Sequence, residues 1–79
     1  MTEAQALQAI QVALHKTLNR DVASIDAATN LIRDGVMDSL DSMVFLMELS
    51  AQTGKEVSDE DANNLSFFRV GRLVEFLVS

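Results

Sequence analysis

The sequence predicts an all-α fold: a small bundle of three main helices plus one short helix, with a long first loop. Three observations lead there. Apolar residues recur at helical spacing in three stretches, around Leu7 to Leu18, Leu40 to Leu49 and Val70 to Leu77. Strand signals are nearly absent, with no extended alternation and no Asn-Gly turn. The chain has 79 residues, no proline and 48% apolar side chains. That is enough for one compact core and too little for two, so residues 1–79 are expected to form a single domain.

The first helix is expected over residues 2–18. Thr2 and Gln5 have capping-box spacing, in which each side chain satisfies a free backbone N–H. Leu7, Ile10, Leu14 and Leu18 share one face, and Ala6, Ala9 and Ala13 add helix propensity and allow close packing. Asn19 to Asn30 is polar without sustained periodicity and reads as a loop, pinned to the core by Val22 and Ile25. Leu31 and Ile32 read as a second anchor, and Asp34-Gly35 as a turn.

A second helix should begin at Asp38 or Ser39 and run to Thr53. Gly54 suits the position past its end, with Lys55 beside the negative end of the helix dipole. Ser58 with Asp61 should open a short helical turn. Ser66 is expected to cap a last helix from Phe67 to Leu77, striped by Val70, Leu73, Val74 and Leu77. The expected core is Leu7, Ile10, Leu14, Ile32, Phe45, Leu46, Leu49, Val70, Leu73, Val74 and Leu77.

The second helix carries more apolar surface than one stripe accounts for. At about 100° per residue, Leu40, Met43, Val44 and Met47 fall on one side, and Phe45, Leu46 and Leu49 on nearly the opposite side. Either the other helices wrap this one, or part of its apolar surface awaits a partner.

Composition excludes several function classes. Cysteine is absent, so neither disulfides nor thiolate metal sites staple the fold, which fits a reducing, cytoplasmic location. No leader-like segment or membrane-length apolar run is apparent. Twelve acids against 6 bases give a formal charge of −6. Nucleic acid is therefore not an expected ligand, since phosphate contacts need clustered Lys and Arg. An acidic surface instead steers encounters with basic patches on other proteins, or only keeps the chain soluble.

The stretch RDGVMDSLDSM places Ser39 between Asp38 and Asp41, after a glycine and before an apolar helix. Four readings are open. In the first, Asp38 or Ser39 caps the helix, worth about 1 kcal/mol. In the second, Ser39 is a nucleophile, which requires a base and an oxyanion hole. The only histidine, His15, sits on another helix, and no G-x-S-x-G elbow exists. In the third, Asp34, Asp38 and Asp41 bind a metal. Their spacing fails the calcium-loop pattern, so no dedicated site is expected. In the fourth, Ser39 is modified: a helix N-terminus favours an attached phosphate ester through its free N–H groups and dipole.

The segment DGVMDSLDSM, following a long loop and leading an apolar helix, resembles the phosphopantetheine attachment motif of acyl carrier and peptidyl carrier proteins. The core of that motif is Asp-Ser-Leu, here Asp38, Ser39 and Leu40. The likeness extends over nearly the whole chain, through length, acidity, helix order and the closing EVSDEDANNLSFFRVGRLVEFL. The resemblance implies an acyl-carrier-like bundle that is not an enzyme. It implies that a phosphopantetheinyl transferase, using coenzyme A and magnesium, joins a 4'-phosphopantetheine arm to Ser39. The arm's thiol then carries acyl or aminoacyl groups as thioesters. The implied partners are that transferase, an acyl- or aminoacyl-loading ligase, and downstream transferases or synthases, with the carrier a monomer.

The resemblance also implies partner contacts at Asp38 and Leu40. Asp41 adds attraction to a basic surface, or is only a first-turn acid favoured by the dipole. Two residues, Val36 and Met37, separate Gly35 from Asp38, as in stand-alone aminoacyl and secondary-metabolism carriers, and both are expected to shape the approach to the arm. Val44 stands where fatty-acid carriers commonly have a glutamate, and Glu48 is the acid kept nearby. Val44 and Met47 either offer an apolar partner contact or pack in the core. The expected cargo is aminoacyl or polyketide-type in a specialised pathway; the alternative is a divergent carrier of fatty acid synthesis.

Overall fold

The computed structural model describes residues 1–22 and 25–79. Helix α1 spans Glu3–Leu18, α2 Ser39–Thr53, α3 Asp59–Ala62 and α4 Val70–Val78, with a 3-10 turn over Leu65–Phe68. Among the described residues there is no strand; Asn30 and Arg69 form an isolated antiparallel bridge. The all-α expectation holds. Of the expected loop 19–30, residues 23 and 24 lie outside the described residues.

Helix α1 starts as its capping box dictates. The Gln5 N–H donates to Thr2 Oγ1 at 3.1 Å, and the Thr2 N–H donates to Gln5 Oε1 at 2.9 Å. It ends where Asn19 turns left-handed at φ 55° and donates its N–H to the His15 carbonyl at 2.8 Å. The buried face is Ala6, Ala9, Ile10, Ala13 and Leu14, so small residues form much of it. Helix α2 packs most extensively against this face, and alanines let the two backbones approach closely. Leu7, expected in the core, is 38% exposed. The alanine face has turned toward α2, which leaves Leu7 at the rim beside Ile25 and Val74. Ile32 and Val74 are also only half-buried at the edge of the core.

The last helix departs from expectation. Asn64, not Ser66, caps the 3-10 turn, its side-chain oxygen accepting the Ser66 N–H at 3.1 Å. The chain is extended at Arg69, and α4 begins only at Val70. This break puts both Phe67 and Phe68 fully in the core, their rings 6.0 Å apart edge to face. No side chain caps α4. The first loop does so instead: the Val70 N–H donates to the Thr29 carbonyl at 2.8 Å and the Gly71 N–H to the Ala27 carbonyl at 3.0 Å. A Cβ at position 71 would sit 3.1 Å from that Ala27 carbonyl, so glycine suits the approach.

Lys55 also serves a different helix from the one expected. Its ammonium donates to the Phe76 carbonyl at 3.0 Å and to the Ser79 carbonyl, at the negative end of α4 and not α2. The end of α2 is closed by Gly54, left-handed at φ 73°, as its position after Thr53 suggested.

Buried Asn30 fastens the loop. Its Nδ2 donates to the Leu65 carbonyl at 2.9 Å, and its Oδ1 accepts the N–H groups of Ile32 at 3.1 Å and Arg33 at 2.9 Å. Its own N–H donates to Asp34 Oδ2 at 3.0 Å. One amide thus ties the segment before α2 to the 3-10 turn. Asn30→Ala strips partners from three backbone groups and should lower the unfolding free energy by about 1–3 kcal/mol. Urea unfolding measures this, and a loss below about 0.5 kcal/mol would show that Asn30 is not a fastener.

Candidate functional site

The approach to α2 is held at both ends. Gly35 adopts φ 78° and donates its N–H to the Ile32 carbonyl at 3.1 Å, closing the expected turn. The Met37 N–H then donates to the Leu31 carbonyl at 2.9 Å. The Met37 side chain is buried in the core, 4% exposed, together with Leu31. Met37 therefore anchors the segment from inside and also contributes to the wall of the concavity that Ser39 borders. Val36 is half-buried and does border the open side.

Asp38 is the cap. Its Oδ1 accepts the Asp41 N–H at 2.8 Å, and Asp41 Oδ2 accepts the Asp38 N–H at 3.5 Å. This reciprocal box makes Ser39 the first helical residue. The Ser39 side chain is exposed and has no part in the cap. Its carbonyl accepts the Ser42 hydroxyl at 2.6 Å, which satisfies the polar group of a buried serine. Ser39 borders a concavity of about 620 Å³ together with Leu18, Arg20, Ile32, Val36 and Asp38.

The other two readings of the sequence find no geometry to support them. His15 Nδ1 pairs with Asp21 Oδ1 at 2.9 Å and borders a different concavity from Ser39. The carboxylates of Asp34, Asp38 and Asp41 each accept a backbone N–H, which accounts for their spacing as turn and cap chemistry. Among the described residues no three His, Cys, Asp or Glu side chains converge as metal ligands. No helix of the described residues is long and apolar enough to cross a membrane.

The two apolar sides of α2 divide cleanly. Phe45, Leu46 and Leu49 are buried, with Ser42 beside them. Leu40 is 80% exposed, Met47 71%, Met43 62% and Val44 47%. The other helices do not wrap α2, and Val44 and Met47 do not pack in the core. Met43, Leu46 and Met47 also face Val57 and Ala62 across a groove of about 620 Å³. Asp41 is half-buried beside Ser39. Glu48 is half-buried too and lies 4.0 Å from the Lys16 ammonium, which draws it toward α1. Sequence reading did not single out Arg20. It stands far from Ser39 along the chain and belongs to no motif.

The family described as "Phosphopantetheine attachment site" matches residues 8–77. The chain is also 31% identical over 68 residues to an acyl carrier protein of Helicobacter pylori strain G27, covering 86% of this chain and 85% of that protein. The acyl carrier protein of strain HPAG1 matches with the same identity and coverage. No solved structure matches significantly.

The division of α2 into two faces has a measurable consequence. Leu40→Ser and Met47→Ser should each change the unfolding free energy by less than about 0.5 kcal/mol. Leu46→Ala should lower it by about 2–5 kcal/mol. Comparable losses at all three positions in urea unfolding would contradict the assignment.

Proposed function

The chain belongs to the phosphopantetheine-attachment family that includes acyl carrier proteins, and from that premise we propose that Ser39 bears the arm. Members of this family are carriers and not catalysts, and they hold 4'-phosphopantetheine covalently. The observation that supports Ser39 is its position. It is the exposed first residue of α2, one residue beyond the aspartate that caps the helix. A phosphate ester there meets free N–H groups and the positive end of the helix dipole. A buried serine such as Ser42, whose O–H already donates to the Ser39 carbonyl, offers no such access.

The chemistry on Ser39 is done by another protein, the phosphopantetheinyl transferase. Ser39 Oγ forms the new P–O bond to the pantetheine-side phosphorus and gives up its proton to the transferase or solvent, as the pyrophosphate linkage of coenzyme A breaks and adenosine 3',5'-bisphosphate leaves. The arm supplies a thiol, which this chain lacks entirely, on which acyl groups ride as thioesters. Residues 1–79 then act as one carrier unit. The unit is read as cytoplasmic, where a transferase can draw on coenzyme A.

Partner proteins are read as seating on the outer face of α2. Leu40, Val44 and Met47 offer the apolar contact, and methionine adapts to varied surfaces. Asp38 and Asp41 add negative charge beside the arm and steer basic partner surfaces. Glu48 contributes at the rim, limited by its attraction to Lys16. The expected partners are the transferase, a loading ligase and the downstream transferases or synthases.

The cargo is read as aminoacyl or polyketide-type in a specialised pathway. Val44, the departure from the glutamate common in fatty-acid carriers, is exposed, so a partner meets it directly. A carboxylate is thereby replaced by an apolar contact at the docking face.

Intact mass after reaction with coenzyme A and a broad-specificity transferase tests the attachment. Wild type should gain the mass of one arm, and Ser39→Ala should gain none. No gain in wild type, or equal gain in the variant, would overturn the assignment. Incubating the loaded protein with candidate ligases tests the cargo: charging with aminoacyl or short polyketide-type groups supports this reading, and charging with long fatty chains alone contradicts it.

A further inference from the structure

We infer that Arg20 binds the phosphodiester joining the arm to Ser39, an inference that rests on Ser39 being the attachment residue. Arg20 follows the left-handed Asn19, where the chain turns off the end of α1. Its guanidinium reaches across to the other end of the loop, where Nη2 donates to the Val36 carbonyl at 3.2 Å. Arg20, Val36 and Ser39 border one concavity, so this bond holds a cation on the wall of the space that Ser39 also borders.

Most other cations of the chain are occupied elsewhere. Lys16 lies near Glu48, Lys55 and Arg69 donate to carbonyls of other segments, and Arg72 lies over the Phe67 ring. Arg33 borders a different concavity. Arg20 is exposed and, among the described residues, pairs with no carboxylate. A guanidinium has five N–H donors, and the Val36 carbonyl takes one of them. The rest form a planar fork that matches two phosphate oxygens at once.

Charge explains why a cation is needed there. A phosphodiester brings one negative charge to a concavity that already contains Asp38 and Asp41. Their carboxylates are engaged with backbone N–H groups at the start of the helix. The repulsion is offset by the start of α2 and by Arg20, the cation bordering the same concavity. The ligand chemistry is thus a singly charged phosphate diester tethered to Ser39, with Arg20 as its positioning residue.

NMR of the protein before and after arm attachment tests this, with intact mass confirming uptake. The Arg20 Nε–Hε cross-peak of wild type should shift on attachment. The phosphorus resonance should move in Arg20→Gln, return toward wild type in Arg20→Lys, and stay in place in Arg33→Gln. An Arg20 cross-peak that does not respond in wild type that has taken up the arm overturns this inference alone, as does a phosphorus resonance indifferent to Arg20→Gln. Should Arg20→Gln accept no arm, the wild-type cross-peak decides. A wild-type protein that accepts no arm overturns the reading of Ser39 and this inference together.

Discussion

The bond between the Asp38 carboxylate and the Asp41 N–H, 2.8 Å long, fixes where α2 begins. The reciprocal bond, from the Asp38 N–H to the Asp41 carboxylate at 3.5 Å, is the longer arm of the same capping box. With the start set at Ser39, helical geometry determines the rest. Phe45, Leu46 and Leu49 turn toward α1 and the core, and Leu40, Met43, Val44 and Met47 turn toward solvent. Ser39 falls at the exposed end, next to the cap and free of it. Two buried side chains steady the approach: Met37, inserted just before the cap, and Asn30, which ties the loop to the 3-10 turn.

How much of this could be read from the chain depends on where the controlling group lies. The start of α1 and the end of α2 were legible because their caps are local, Thr2 with Gln5 and Gly54 past Thr53, and the start of α2 was narrowed to Asp38 or Ser39. The start of α4 was not, because its N–H groups are satisfied by the Thr29 and Ala27 carbonyls, distant in sequence. Periodicity cannot report such a cap. It also cannot report the burial of Met37, Phe67 and Phe68, which lie outside any α-helix, whereas Leu31 was legible as an anchor from its apolar pair with Ile32. Leu7 was misplaced for a related reason. Hydrophobicity favours leucine over alanine, but close packing of α2 on α1 favours the alanine face.

The site shows the same split. Asp38, Ser39 and Leu40 formed a readable motif, but sequence left open which of Asp38 and Ser39 capped the helix. It also left open whether the surplus apolar side of α2 was covered by the fold. Geometry answers both, with Asp38 as the cap and the surplus side exposed. Arg20 had no signal at all, since only the turn at Asn19 brings it to Val36.

The molecule thus separates its tasks by position. Buried faces of α1, α2 and α4 hold the bundle, and the outer face of α2 remains for other proteins. The hydroxyl at the start of α2 remains for chemistry that the chain does not perform. This separation requires that capping and modification fall on different residues. The most direct measurement is the unfolding free energy of Asp38→Ala beside that of Ser39→Ala, both without the arm. The account predicts a loss of about 1 kcal/mol for Asp38→Ala and a change within about 0.5 kcal/mol for Ser39→Ala. A loss at Ser39 equal to or larger than that at Asp38 would contradict it, because the serine would then be part of the cap and not free.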